Sequence, residues 1–497
     1  MHTGPVEKII FVHGYSCTNL DSFNLLPTLL SQEFATSDLY LAGWISLDDR
    51  ISCTDLAVSL EERIVSLEAA GFDLGSAMIV THSTGDIVAR RWILDRRARR
   101  KGNPALGIAA DPNVKTLSHF FSCAGTVHGS TMTQLGSTEL AYLYRNIAEG
   151  QSVGKRVLED LDYGSAFLRK LNRDWMKAWN DPADPLFAET FCFSMVRTDH
   201  SFWQNHLAWQ SREPGSDGTV RISGANLNYS WITVNPPKYD NFTTETLNQP
   251  SPHLVVQTPT NKYSHTSQDT PDTEKLVVNT AGAISHFGQP AEPVSEQTFG
   301  IVGGVTSANE RPFTALQEAI SVEDLASYEA LTTKWAQETT QWSTQNPGEV
   351  NSTVVVAVLD VQNTPVDDSL VAIRDVNGIG TVAACLVGNP IANAVSPSIK
   401  TFYMNTAGFR AVHGHQIHVA ALADTQFVTY GNPVDATLSN TDPQDQRHVV
   451  EDNQCTYVDV VVERDPAEAF AFYTLSNPDL ASFLTVNFPP FSPKGRL

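Results

Sequence analysis

The 497-residue sequence contains no uninterrupted apolar stretch approaching the roughly 18 residues that a membrane-spanning helix requires. Cysteine is scarce: there are six, at Cys17, Cys53, Cys123, Cys192, Cys385 and Cys455, with no CxxC pair and no dense spacing. That excludes a disulfide framework and fits free thiols in a reducing compartment. Positive charge is also in short supply. With 33 Lys and Arg against 55 Asp and Glu, the formal net charge of −22 argues against nucleic acid as a partner and against simple attraction to anionic lipid. Residues from Ile301 onward carry about −13 of this charge and the longer N-terminal part about −9. The first strand-like run starts a few residues after Met1, which leaves no room for a cleavable secretory leader. The expected location is therefore cytoplasmic, peripheral to a membrane, or outside the cell by a non-classical route. Neither an internal repeat nor a low-complexity tract is present.

What is present is a regular alternation. Residues 8–12, 39–44, 77–80, 117–124 and 191–196 read as short apolar strands, and 54–70 reads as an amphipathic helix with Leu56, Leu60, Ile64 and Leu67 on one face. Such alternation implies an α/β fold with a parallel sheet and helices on both faces. Residues 125–189 interrupt it with helical runs at 140–147, 157–161 and 166–179, read here as a helical cap over the mouth of a site or, with equal weight, as packing on the sheet edge. A single helical run at 312–341 leads to Pro347-Gly348. After it come short β-branched runs at 353–361, 370–376, 381–387, 400–405, 416–423 and 457–463, a spacing that suggests an antiparallel β-sandwich. A chain of this length exceeds what one core usually serves. Two domains are expected, at 1–345 (with the cap insertion at about 125–190) and 346–497.

The most informative stretch is residues 77–90, an apolar strand that breaks at Thr81-His82-Ser83-Thr84-Gly85 into a helix. A sharp strand-turn-helix lifts one hydroxyl above the end of a parallel sheet, which makes Ser83 the candidate nucleophile; Thr81 stands where glycine is usual. Upstream, Val12-His13-Gly14-Tyr15 ends a buried strand in a His-Gly turn. The backbone N–H groups of Tyr15 and Thr84 are the expected oxyanion-hole donors. Downstream, Gly215-Ser216-Asp217-Gly218 places a carboxylate in a glycine-flanked loop, so Asp217 is the candidate acid and Asp199 its rival. Residues 275–280 read as a last strand, followed by Ile284-Ser285-His286-Phe287-Gly288, which makes His286 the candidate base. His265, His253 and His13 compete with it, although His13 is better suited to bracing the turn before Tyr15. The order Ser, Asp, His is that of α/β-hydrolases. No metal or organic cofactor is required by this chemistry.

Taken together, the Thr-His-Ser-Thr-Gly corner, the Gly-Ser-Asp-Gly-Thr-Val-Arg loop with the following Ser223-Gly224-Ala225-Asn226-Leu227-Asn228-Tyr229, and the Ser285-His286 loop resemble the PlaB-type bacterial phospholipases A and lysophospholipases A. The resemblance covers residues 6–331 in motif order. It implies an α/β-hydrolase domain followed by a β-rich domain, with Ser83, Asp217 and His286 as nucleophile, acid and base. Asp160-Leu161-Asp162-Tyr163-Gly164-Ser165 with the helix after it also looks like related lipolytic hydrolases. The Pro-, Asn- and Thr-rich residues 235–272 are extra between acid and base. The implied activity is cleavage of carboxylic ester bonds in phospholipids and lysophospholipids. The alternatives are a lipase or carboxylesterase on other esters, or an inactive lipid-binding relative. Peripheral membrane contact and homo-oligomerisation are compatible with each.

Three further clusters have plainer readings. Arg90-Arg91 and Arg96-Arg97-Ala98-Arg99-Arg100-Lys101 read as a solvated helix end that complements the helix dipole, in preference to a headgroup-binding patch. His413, His415 and His418 lack a Cys or acidic ligand that would complete a metal site. Finally, Phe202-Trp203 with Trp209 suggests burial rather than interfacial lipid contact.

Overall fold

β-Branched and aromatic side chains that alternate between two faces form the first sheet. The structure is a computed structural model that describes residues 5–15, 23, 26–31, 33–45, 47–102, 109–130, 133, 152–197, 215–217, 219–236, 242–256, 310–375, 385–387, 390–410, 415–421, 429–431, 434–438 and 450–465. Strands β1 (Lys8–Val12), β2 (Leu39–Ala42), β3 (Ala77–His82), β4 (His119–Cys123), β5 (Phe191–Arg197) and β8 (His253–Val256) are ordered β2-β1-β3-β4-β5-β8, every pair parallel. Ile10, Val12 and Ile79 point to one face, where they meet α2 (Cys53–Ala69) and α3 (Gly85–Lys101) through Leu60, Ile64, Ala89 and Trp92. Ile9, Phe11, Met78 and Val80 point to the other, against α1 (Leu26–Leu30), α7 (Glu310–Ile320) and α8 (Leu325–Gln345). A parallel sheet apolar on both faces needs this double cover.

Local signals set the helix ends. Ser52 caps α2 by accepting the Asp55 N–H at 3.2 Å, while Asp55 accepts the Ser52 N–H at 2.8 Å. The run expected to be one helix at 312–341 is two, because Asp324 accepts the Ser327 N–H at 2.8 Å and starts α8 afresh. Thr339 of α8 then closes the outer edge of β8, accepting the Val255 N–H at 3.1 Å and donating to the His253 carbonyl at 3.0 Å. Among the described residues no further strand pairs with that edge.

The second sheet differs from the expected antiparallel sandwich. Its order is β11 (Ile391–Ala392), β12 (Ile399–Asn405), β9 (Asn351–Asp360), β16 (Cys455–Val462), β6 (Tyr229–Val234) and β7 (Phe242–Thr246). β16 runs parallel to both β9 and β6, so the sheet is mixed. It does form one layer of a two-layer packing: Ile232, Val354, Val356, Val458 and Val460 meet Val371, Ile373, Ile417, Val419 and Ala436 of the sheet β10 (Ser369–Asp375), β13 (His415–Ala421) and β15 (Val434–Leu438). A two-stranded pair, β14 (Thr429–Tyr430) with β17 (Arg464–Asp465), lies outside it. β6 and β7 come from residues before the expected boundary at 345/346, and β7 and β8 from the stretch 235–272 read as an insertion. The Pro, Asn and Thr around these short strands mask their alternation in the sequence.

The opposite face of the second sheet meets the first domain directly. Tyr229, Trp231, Val355 and Tyr457 share one continuous core with Ile10, Ile79 and Trp92, joined through Trp175 and Trp179 of α5 (Ala166–Trp179). α5 begins at the Ser165 cap, which accepts the Leu168 N–H at 3.1 Å. The second half of α5 therefore lies between the two sheets. α4 (Lys155–Leu161), through Val157, Leu158 and Leu161, and the start of α5, through Leu168 and Leu171, share a cluster with Tyr15. The expected helix at 140–147 lies outside the described residues. Cys53, Cys123, Cys192 and Cys455 are buried thiols. Among the described residues no helix is long and apolar enough to cross a membrane.

Because the core runs across 345/346, a chain cut there leaves the β6–β7 hairpin without β16 and exposes Tyr229 and Trp231. Residues 1–345 expressed alone are expected to bind a hydrophobic dye and to show no cooperative melting by circular dichroism. A sharply melting, dye-negative fragment would contradict this.

Candidate active site

The corner that follows β3 is closed by a single residue in the left-handed region. Ser83 has φ of +55°, and α3 starts two residues later at Gly85. A side chain in that region costs about 1–2 kcal/mol, so the surrounding structure must hold it. It is held on both sides: the Ser83 N–H donates to the Cys123 carbonyl at 3.2 Å, and the Ser83 carbonyl accepts from the N–H groups of Asp86 (3.0 Å) and Thr126 (3.3 Å). The tight approach falls on glycines. A Cβ on Gly85 would sit 2.4 Å from the Val12 carbonyl oxygen, and one on Gly14 would sit 2.7 Å from the Ser83 Cβ. Thr81 is accommodated because its side chain is buried within the sheet, its hydroxyl 3.4 Å from the Phe121 carbonyl. Ser83 is 6% exposed.

The His13-Gly14-Tyr15 turn is braced as expected. His13 donates from Nδ1 to the Gly14 carbonyl at 2.8 Å and accepts the Trp44 N–H on Nε2 at 2.9 Å, while its ring stacks on Trp44 at 5.0 Å. Burial lowers its pKa, so the imidazole is neutral in one tautomer. The Tyr15 hydroxyl donates to the Val153 carbonyl of the segment before α4. Burial, assisted by Asp49, pushes its phenol up to about 12. Thr84 occupies the N-cap of α3, where the backbone N–H has no intrahelical partner.

Asp217 is fully buried, and its Oδ1 accepts two backbone N–H groups, from Thr219 at 2.9 Å and Val220 at 2.8 Å. Residues 126–130 link this turn to the Ser83 corner. At one end of that segment Thr126 binds the Ser83 carbonyl; at the other the Ser130 hydroxyl donates to the Thr219 carbonyl at 2.7 Å. Ala124, Val196, Val220 and Ile222 pack together beneath it. The structure thus sets Ser83 and Thr84 against the turn before Tyr15, and links the Asp217 turn to that corner through residues 126–130. His286, its rival His265, the rival acid Asp199 and the aromatic run 202–209 lie outside the described residues. His253 is committed elsewhere: it sits in β8 with Nδ1 2.8 Å from the Ser194 hydroxyl, and burial pushes its pKa down to about 3.

Two readings of charge change. Arg96 and Arg97 are buried, not solvated. Arg96 pairs with Glu61 at 2.9 Å and Glu68 at 2.6 Å, while Arg97 pairs with Glu189, so acids from other elements neutralise the cluster. His415 stacks on Phe409 at 4.2 Å, and His418 pairs with Asp435 at 2.7 Å on the other face of β13. The sequence reading missed Asp86 and His128, and read Arg90 as part of a solvated run. All three are fully buried. The available signal was the Asp86/Arg90 i, i+4 pair on a helix face otherwise filled by Ile87, Ala89 and Ile93.

Comparison with known proteins agrees with this fold. The family described as lipase (class 2) matches residues 6–182. Among curated proteins, none matches the chain in sequence. A structure of phospholipase PlaB from Legionella pneumophila superposes with a TM-score of 0.71 at 19% identity, covering 96% of this chain and 97% of that one. A second, in complex with thio-NAD, gives 0.70 at 18% identity over 95% and 97%. The chain therefore has an α/β-hydrolase fold with an associated mixed-sheet region, and the expected likeness to PlaB-type proteins holds at the level of the fold.

The left-handed corner predicts an unusual stability order. Ser83→Gly, which removes the Cβ, should exceed Ser83→Ala in unfolding free energy by about 1 kcal/mol, measured by urea denaturation. Equal stability, or a more stable alanine variant, would show that the corner stores no strain.

Proposed function

We propose that the chain is a serine ester hydrolase that acts on phospholipids and lysophospholipids. The observation that carries this reading is the left-handed Ser83 at the carboxyl edge of a parallel sheet and at the start of a helix, with residues 126–130 linking its corner to the turn of the buried Asp217. The lipase (class 2) match and the shared fold with PlaB support it. In this mechanism the Ser83 hydroxyl attacks the ester carbonyl while His286 accepts its proton, since a serine is a weak nucleophile without a positioned base. Asp217 holds the imidazole in one tautomer. The Thr219 and Val220 N–H groups that Oδ1 accepts hold the carboxylate in one orientation. The N–H groups of Tyr15 and Thr84 receive the oxyanion, an interaction worth about 3 kcal/mol of barrier per donor. The lysophospholipid or alcohol leaves with the proton returned by His286, and water then releases the fatty acid from Ser83 by the same route in reverse.

A second reading, a lipase or carboxylesterase on other esters, is favoured by the family description alone. With a net charge of −22, contact with a membrane would have to be apolar or ion-bridged.

The test is fatty-acid release from phosphatidylglycerol, phosphatidylcholine and their lyso forms, beside p-nitrophenyl esters of graded chain length. Ser83→Ala and His286→Ala should abolish release. Asp217→Asn should lower kcat by roughly 10⁴-fold by presenting the wrong hydrogen-bonding partner to the imidazole. Full activity in Ser83→Ala would remove the proposal, and indifference to phospholipid vesicles with rapid turnover of short esters would select the second reading.

A further inference from the structure

A line of fully buried polar side chains crosses the core beneath the candidate site: Arg90 on α3, Asn172 on α5, Tyr457 on β16 and His128 after β4. Arg90 Nη2 is 2.8 Å from Asn172 Oδ1, Asn172 Nδ2 is 2.7 Å from the Tyr457 hydroxyl, that hydroxyl is 3.1 Å from His128 Nδ1, and His128 Nε2 is 3.0 Å from the Asn226 carbonyl. The protons in this chain have one arrangement. A guanidinium can only donate, so Asn172 Oδ1 accepts and its Nδ2 donates to Tyr457. At the far end a carbonyl can only accept, so His128 donates from Nε2 and its bare Nδ1 accepts the Tyr457 proton. Burial pushes the His128 pKa down to about 3, with Arg90 acting the same way, so the ring stays neutral and keeps that tautomer.

The two ends of the line belong to the two halves of the candidate site. Arg90 rides on the helix that starts at the Ser83 corner, and its Nη1 approaches the Val127 carbonyl at 3.4 Å, which also accepts from Asn172 Nδ2 at 3.1 Å. Asn226 closes the segment that follows the Asp217 turn, and the His128 N–H donates to the Gly224 carbonyl of that segment at 3.0 Å. Between them, residues 126–130 reach from the Ser83 carbonyl to the Thr219 carbonyl. The central hydroxyl is the one member supplied by the second sheet. An apolar side chain there would pack as well, since the Tyr457 ring already stacks on Trp231 at 4.5 Å. Buried polar groups confer less stability than well-packed apolar ones unless every partner is satisfied, so a fully directed chain here has a use in orientation.

We propose that Tyr457 is a positioning residue for ester hydrolysis: its hydroxyl, contributed by the second sheet, fixes the nucleophile helix and the acid turn relative to each other through Asn172 and His128. This rests on the reading of Ser83 and Asp217 given above. It makes the second sheet part of the catalytic apparatus without contact to substrate.

The experiment is steady-state hydrolysis of a soluble p-nitrophenyl ester by the full chain. Tyr457→Phe keeps the ring and removes the hydroxyl; kcat should fall about tenfold or more while KM stays within about twofold. Asn172→Asp is the second variant, because a carboxylate still receives Arg90 yet cannot donate to Tyr457, and it should show the same split. Val419→Ala, in the layer packed on the opposite face of the second sheet from Tyr457, serves as a stability control: it should lower the melting temperature at least as much as Tyr457→Phe and leave kcat unchanged. The proposal is overturned if Tyr457→Phe and Asn172→Asp keep kcat within about twofold of the parent, or if Val419→Ala loses kcat to the same degree. Ser83→Ala run alongside separates the two claims: loss of activity there with full activity in Tyr457→Phe removes the positioning role alone, whereas full activity in Ser83→Ala removes both.

Discussion

The whole arrangement depends on how closely the turn after β1 approaches the corner after β3. Neighbouring parallel strands place their carboxyl ends side by side, and here the Val12 carbonyl and the Gly14 backbone come so near that neither Gly85 nor Gly14 has room for a Cβ. That proximity sets the Tyr15 turn against the Ser83 corner, as the proposed oxyanion hole requires. It also forces the reversal of direction into the single residue Ser83, whose left-handed backbone turns its side chain away from the sheet's interior path. Sheet register, glycine placement and the strained serine are thus one constraint seen from three sides. At the carboxyl edge of a parallel sheet, where ligands of open α/β folds are received, this constraint turns a strand end into a chemical site.

Around that site the molecule has been built as one body. Helix α5, with Trp175 and Trp179 toward the first sheet and Asn172 toward Tyr457, fills the space between two sheets that elsewhere in such folds would be covered separately. Charged residues at the seam are matched: Arg169 meets Asp459 at 2.5 Å, the Trp231 indole donates to the same carboxylate at 2.9 Å, and Arg169 and Arg173 lie over the Trp231 ring. Such a joint is partly apolar and partly directed, so it resists sliding as well as separation.

Much of this was legible in the residues themselves. β1, β3, β4 and β5 are apolar runs bounded by turn formers, and their positions follow within a residue or two. α5 starts at the Ser165 cap and stops after Trp179, as its periodicity indicates. The Ser83 corner was readable because a strand pattern of period two changes to a helix pattern across it. The second sheet was harder. β6, with the hairpin partner β7 on its other side, precedes the helices α7 and α8 in sequence yet pairs with β16, more than 200 residues later, and no local pattern specifies a parallel partner at that distance. The burial of Arg96 and Arg97 was hidden for a similar reason, since Glu61, Glu68 and Glu189 come from other elements. The line from Arg90 to Asn226 joins residues separated by as many as 329 positions, and each member looks unremarkable in its own segment.

The central claim is that Ser83 carries an activated hydroxyl. It is tested most directly by incubating the full chain with a fluorophosphonate, digesting it, and locating the adduct by mass spectrometry. The account predicts a single phosphonylated peptide whose modified residue is Ser83. An unmodified Ser83 peptide after prolonged exposure, or an adduct on another serine with Ser83 intact, would contradict it.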